Sequence, residues 1–318
     1  KETNTKINVL CLCCGILPEI IALKKLGIKI GVVYVMDIDL DAVGVGVAQH
    51  PDIDFRTVKF GTCGNTQYKG KPGNVSELST LPDILEEMNR DCGGINMVIT
   101  TSPCTSFSRA GLLNGFDAAT GQVFLACARI VKWYAEKGTT FYLSENVDST
   151  VALNKKMNDW YGSNSVVMNG DDVSPMRRKR QIRTNFPPAL DLKDELDGFK
   201  PHRQASNCID ADSAIHPDRQ KVHCLLQSRQ QDQCVYTQAT PESDPKSRPF
   251  RIHELEKLMG HVVGFTKYTV GQAIMDRIKN HKVNVDGHIV HLKGAGTDPL
   301  EKEARELSDT ERQKLLGN

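Results

Sequence analysis

Across 318 residues the sequence has no run approaching the ~18 consecutive apolar residues of a membrane-spanning helix, which excludes a helical membrane protein. The polar start, 1–8, lacks the apolar core of a signal peptide, so a protein that is not exported is expected. Charge of one sign is missing too. Lys and Arg number 40 against 39 Asp and Glu, a net charge of +1. A polycation that coats nucleic acid is thereby excluded, and any such contact has to come from a local patch. No segment repeats, which excludes a solenoid. Ten cysteines are present, three of them crowded at Cys11, Cys13 and Cys14. A chain this long can build a core without a disulfide framework, so a reducing, intracellular setting is expected.

What is there is the alternation of an α/β protein. Residues 7–12 form a short apolar run that reads as a buried strand. A turn at Gly15 leads to a helix over 18–26, with Pro18 in its first turn and Gly27 as its stop. A second strand over 30–36 ends at Asp37, and a helix is expected over 41–49. Residues 61–80 read as a surface loop, 81–89 as a helix and 95–100 as a strand. A helix over 118–136 and a strand over 140–143 follow, with another strand within 161–169. Such alternation predicts a parallel sheet covered on both faces. Over 188–249 periodicity fades, and the segment reads as a loop-rich second lobe. Regularity returns at 252–259 and 270–278. Residues 283–290 have the pattern of a hairpin turning at Asp286-Gly287. The tail reads as two short helices, one opened by Pro299 and one capped by Ser308 with Glu311.

Candidate chemistry gathers at strand ends. Ser102-Pro103-Cys104 closes the apolar run 95–99. A free Cys there could equally be a small core residue. As a nucleophile it needs amides that stabilise the thiolate, since the reference thiol pKa is about 8.5. The carboxyl edge of an open α/β sheet, where ligands bind, offers them. Glu145 ends the next apolar strand and should face the same crevice. A carboxyl group there can bond N3 and the exocyclic amine of cytosine and protonate N3 as C6 is attacked. The basic string from Arg177 to Arg180 suits a pyrimidine O2 or a phosphate. Asp37, 22 residues after Gly15, is placed to accept from ribose hydroxyls.

In order and spacing these strings resemble the cytosine-C5 DNA methyltransferases, most closely catalytic domains of the de novo branch with a small target-recognition region. The resemblance runs from about residue 7 to about 278. Its strings are Gly15 with 23–28; Asp37; Ser102-Pro103-Cys104; Glu145-Asn146-Val147; Arg178-Lys179-Arg180 with Asn185-Phe186-Pro187; 254–260; and 270–273. It implies a Rossmann-like, S-adenosylmethionine-dependent methyltransferase sheet with a small loop-rich target-recognition lobe. The catalytic domain would be 1–187 and 250–281, the lobe 188–249, and the hairpin and charged tail 282–318. DNA is the implied partner, with the target cytosine flipped from the duplex. Cys104 would attack C6 and Glu145 would hold and protonate N3. Arg178 and Arg180 would contact O2 and steady the other two. S-adenosylmethionine would lie against Cys13, Gly15, Ile16, Asp37, Ile38 and Pro103. Gly271, Gln272 and Ala273 would close over it. A eukaryotic protein of this kind would be nuclear and a bacterial one cytoplasmic; a homo- or hetero-oligomer stays open.

The departures cluster at the cofactor. Where the family's first motif has an aromatic residue this chain has Cys13, and Glu19 replaces its second glycine, so a side chain is expected to block close backbone approach. The stretch 58–65 lacks the family's acid, and Asn96 stands where another acid is usual. In 188–249 ten acids stand against eight bases, a net −2, so duplex contact would rest on 177–183, Lys69, Lys71 and a partner. Cys208, His223, Cys224 and Cys234 fit no common zinc spacing, and no metal is expected. A non-catalytic scaffold, an RNA substrate and a modified sulfonium donor remain as rivals.

Overall fold

The computed structural model describes residues 5–59, 73–108, 111, 113–138, 140–163, 165–170, 174, 176–186, 208–210, 213–214, 222–223, 234–237, 247–259, 261, 263, 265–266, 278–283, 289–291 and 307–316. Two compact units divide the chain: 1–166 with 181–187 and 270–303, and 167–180 with 188–269 and 304–318. Residues 250–269, expected with the catalytic domain, thus group with the second lobe, and 282–303 group with the main sheet. No helix among the described residues is long and apolar enough to cross a membrane.

The first unit follows the expected alternation, with β3 and α3 added to it: β1 (Ile7–Leu12), α1 (Pro18–Lys25), β2 (Ile30–Met36), α2 (Leu40–Ala48), β3 (Asp54–Lys59), α3 (Val75–Leu78), α4 (Pro82–Asp91) and β4 (Met97–Thr100). Next come α5 (Ala119–Ala135), β5 (Phe141–Val147), α6 (Val151–Tyr161), β6 (Ser165–Asn169), β7 (Lys179–Thr184), β8 (Ile278–Val283) and β9 (Ile289–His291), with 167–169 of β6 and 179–180 of β7 counted in the second unit. These strands form one nine-stranded sheet in the order β9-β8-β3-β2-β1-β4-β5-β7-β6. Strands β3-β2-β1-β4-β5, and β8 beside β3, pair in parallel. The expected hairpin pairs antiparallel, Val283 opposite Ile289, and extends this sheet; its turn lies outside the described residues.

Strand periodicity explains the two-sided core. Val9 and Cys11 pack into one apolar cluster with Leu17, Ile20 and Val43. Leu10 and Leu12, pointing the other way, join Ile84, Phe124 and Ile130. Strand β1 is therefore apolar throughout because helices cover both its faces. Helix α1 starts at Pro18 and carries Lys24 and Lys25 in its last turn, and Gly27 follows with φ 74°. Asp39 caps α2, accepting from the Ala42 N–H at 3.1 Å. Gly46 lets α2 press on the β1–α1 turn, for a Cβ there would lie 2.7 Å from the Ile16 carbonyl oxygen. The expected loop 61–80 proves helical over Val75–Leu78, capped by Asn74.

The second unit is held by helix α7 (Ile252–Leu258) and helix α8 (Asp309–Leu316). The Ser308–Glu311 capping box forms as expected, Ser308 Oγ donating to Glu311 at 2.8 Å. The helix expected from Pro299 lies outside the described residues. Glu254 and Glu256 are fully buried. Arg248 grips Glu254 with two bonds of 2.8 Å, and Arg312 reaches Glu256 at 3.0 Å. Buried carboxylates are tolerated when paired in this way, so both acids are anchors of the lobe.

Candidate active site

Strand order reverses between β1 and β4, the switch point at which open α/β sheets leave a crevice beyond their carboxyl ends. The chain places its chemistry along that edge. Thr100 of β4 lies opposite Ser144 of β5, so Cys104 and Glu145 leave neighbouring strands at one edge. Asn146 braces them: its side-chain amide donates to the Ser102 carbonyl and to Ser102 Oγ, each at 3.1 Å. The Cys104 carbonyl accepts from the N–H groups of Phe107 (2.9 Å) and Ser108 (2.8 Å), which shapes the turn after it. The thiol-bearing residue is half-buried against the core cluster of α5, unlike the fully buried Cys127.

A second brace ties this turn to the one after β1. The Thr101 hydroxyl donates to the Cys13 carbonyl at 2.7 Å, and the Thr101 N–H to the Leu12 carbonyl at 3.1 Å. Gly15, at φ 52°, donates its N–H to Asp37 Oδ2 at 2.9 Å. The other Asp37 oxygen accepts from the Asp39 N–H at 2.8 Å. Gly73 seats the returning chain on Asp37, where a Cβ would fall 2.3 Å from its carbonyl oxygen. Hydrogen bonds thus link the strand ends of β5, β4, β1 and β2 into one frame. Thr101, Ser102 and Asn146 hold that frame, and none carried a role in the sequence reading, because partners 44 or 88 residues apart leave no local signature.

Residues 74–165 match the C-5 cytosine-specific DNA methylase family. Over these residues the chain is similar to the cytosine-C5 methyltransferases. Type II methyltransferase M.NgoPII of Neisseria gonorrhoeae is 43% identical over 58 residues, a stretch that is 18% of this chain and 16% of that protein. The chain therefore matches a small part of that curated relative's length. Among solved structures, S. pombe Dnmt2 methyltransferase has a TM-score of 0.53 at 13% identity, over 98% of this chain and 93% of that one. A substituted Spodoptera frugiperda DNMT2 has a TM-score of 0.56 at 15% identity, over 98% and 95%. Both share the fold.

The turn after β1 departs most from the pattern that the resemblance implies. Burial pushes the Asp37 carboxyl up from 3.8 to about 6, against the pull of the Asp39, Gly15 and Ile38 backbone groups. Cys13, in place of an aromatic residue, is half-buried and packs against the core cluster that holds Cys127 of α5. The Cys127 thiol first, then burial, drives the Cys13 pKa well up. Glu19 corrects the expectation made for it. Its carboxylate turns under α1, within 4.8 Å of the thiols of Cys11 and Cys14, on the face where those cysteines pack with Leu17 and Ile20. The side chain replacing glycine therefore points into the core rather than into the turn's open side, where a Cβ built on Gly15 meets nothing within 4 Å. Open space beside Gly15 and a carboxylate with lone pairs to spare fit a ribose-bearing donor.

Ile16 is buried and Ile38 exposed beside this turn, and Pro103 is half-buried. Arg178 and Arg180 belong to the second unit, both half-buried, with Arg180 Nη1 donating to the Lys179 carbonyl at 2.9 Å. Gly271, Gln272, Ala273, Lys69 and Lys71 lie outside the described residues. So do the side chains of His223, Cys224 and Cys234, while Cys208 is buried in the second unit's core.

Proposed function

We propose that this chain is a DNA cytosine-C5 methyltransferase acting on a cytosine flipped from the duplex. The observation that carries the reading is the pair Cys104 and Glu145, leaving adjacent parallel strands in register with Asn146 bracing one end to the other. Cys104 attacks C6 as the thiolate, forming an S–C6 bond and moving the displaced electron pair toward C5 and N3. Glu145 accepts from the exocyclic amine and delivers a proton to N3 as that bond forms. S-adenosylmethionine, when bound, would supply the methyl group that C5 takes up and leave as S-adenosylhomocysteine. Loss of the C5 proton to solvent, with return of the N3 proton to Glu145, then restores the C5–C6 double bond, breaks the S–C6 bond and frees Cys104. Arginine's planar fork supports a role for Arg178 and Arg180 in binding the pyrimidine O2 or a phosphate.

The donor would be held by the Cys13–Gly15 turn with Ile16, by Asp37 and Ile38, by Pro103 and by 271–273. Asp37 makes this testable by pH. Ribose hydroxyls favour its ionised form, whereas burial holds the free protein's carboxyl near 6. Calorimetric titration should show S-adenosylmethionine affinity rising from pH 5 to pH 7 and levelling above. Asp37→Asn should flatten the profile and weaken binding about 10- to 100-fold, the cost of a charge-assisted hydrogen bond. A wild-type affinity that does not change with pH removes Asp37 from the donor site.

Nucleoside mass spectrometry decides the substrate. DNA and RNA are incubated with the chain and isotopically methyl-labelled S-adenosylmethionine. Labelled 5-methylcytosine is expected in DNA. Label in RNA alone overturns the DNA assignment while keeping the chemistry. No label in either, from folded protein that binds the donor, overturns the enzyme in favour of a scaffold.

A further inference from the structure

Beneath the β1–α1 turn lies a cluster that the proposed reaction does not use. Cys11 and Cys14, spaced Cys-x-x-Cys, are 0% and 5% exposed. Their sulfurs and a carboxylate oxygen of Glu19 all lie within 4.8 Å of one another. Both Glu19 oxygens are buried and receive no N–H or O–H hydrogen bond. The Cys14 thiol reaches the Leu12 carbonyl at 3.4 Å and the Ile99 carbonyl at 3.6 Å, and no lysine or arginine among the described residues pairs with Glu19. A carboxylate out of water with no positive partner either keeps its proton or coordinates a cation. Two thiols and a carboxylate converging on one point are the donor set of a thiophilic ion.

We propose that Cys11, Cys14 and Glu19 bind a divalent cation of the zinc class. In tetrahedral coordination, with Zn–S about 2.3 Å, neighbouring sulfurs sit about 3.8 Å apart. The cluster, spanning 4.8 Å at most, closes to that by side-chain rotation. Thiols must lose their protons to bind the ion, so affinity rises with pH. A carbonyl of Leu12 or Ile99, or a water, supplies the fourth donor. The bound ion would clamp the end of β1 to the first turn of α1, across a bend that holds left-handed Cys13 (φ 57°) and Leu17 (φ 57°). The site stands independently of the methyltransferase reading.

Cadmium is the probe, because a Cd–thiolate bond adds an ultraviolet charge-transfer band. The reduced, chelator-treated full chain is titrated with Cd²⁺, then challenged with Zn²⁺. One equivalent should raise the band and Zn²⁺ should erase it. Cys11→Ser with Cys14→Ser should abolish it, and Cys92→Ser, a half-buried thiol elsewhere, should leave it intact. Glu19→Gln, nearly isosteric and the arbiter if the double variant fails to fold, should keep the band but weaken binding at least about 10-fold. No band at one equivalent overturns the site. So does a band that survives loss of both cysteines, or Glu19→Gln binding as the wild type does.

Discussion

Cys104→Ala is expected to lower methyl transfer by at least about 10³-fold and to form no adduct with DNA. The thiol is asked for chemistry that alanine cannot supply, whereas the turn does not depend on it. Its geometry is set by the Cys104 carbonyl, which accepts from Phe107 and Ser108, and by the Asn146 bonds to Ser102. Removing one half-buried sulfur leaves little cavity, so stability should change by about 1 kcal/mol or less. The check is a duplex carrying 5-fluorocytosine. Fluorine at C5 cannot leave as a cation, so the S–C6 bond persists after methyl transfer and survives denaturing electrophoresis. Wild type should shift quantitatively and Cys104→Ala not at all. A Cys104→Ala chain that still forms the adduct would place the nucleophile elsewhere.

Glu145→Gln is expected to slow transfer by about 10²- to 10⁴-fold, the range for losing a positioned proton donor. Glutamine keeps the size of the side chain and can still accept from the exocyclic amine, but it has no proton to exchange with N3. The brace through Asn146 is untouched, so thermal unfolding should stay close to wild type. Tritium release from [5-³H]cytosine in DNA, measured in a single turnover, should slow with the methylation rate. Adduct formation with 5-fluorocytosine should slow with them rather than vanish, since Cys104 remains. A full-rate Glu145→Gln chain would assign protonation to another group.

Much of the fold was legible because buried strands announce themselves. Runs such as 7–12 and 95–100 are apolar on both faces, as strands under two helical layers must be. Strand β3 was harder to see. Its residues Asp54, Arg56 and Lys59 break the apolar run, and it is held by pairing with β2 and β8. Helix α6 escaped as well, since it buries only Met157 and Tyr161 and shows too short an apolar stripe. The grouping of 250–269 with the second unit rests on contacts such as Arg248–Glu254, which no local pattern encodes.

By itself the sequence determined most of the strand–helix alternation, and with it the places of Asp37 just beyond β2, of Cys104 beyond β4 and of Glu145 near the end of β5, which runs on to Val147. Hydrophobic period and turn chemistry are local properties, and a parallel sheet carries every strand's end to one edge. Only the tertiary structure decided how those ends are joined. Thr101 meets the Cys13 carbonyl and Asn146 meets Ser102 through hydrogen bonds whose partners are distant in the chain. It also decided which way Glu19 points. A side chain in the first turn of a helix can face the crevice or the core, and packing of α1 on β1 turned this carboxylate inward, onto Cys11 and Cys14.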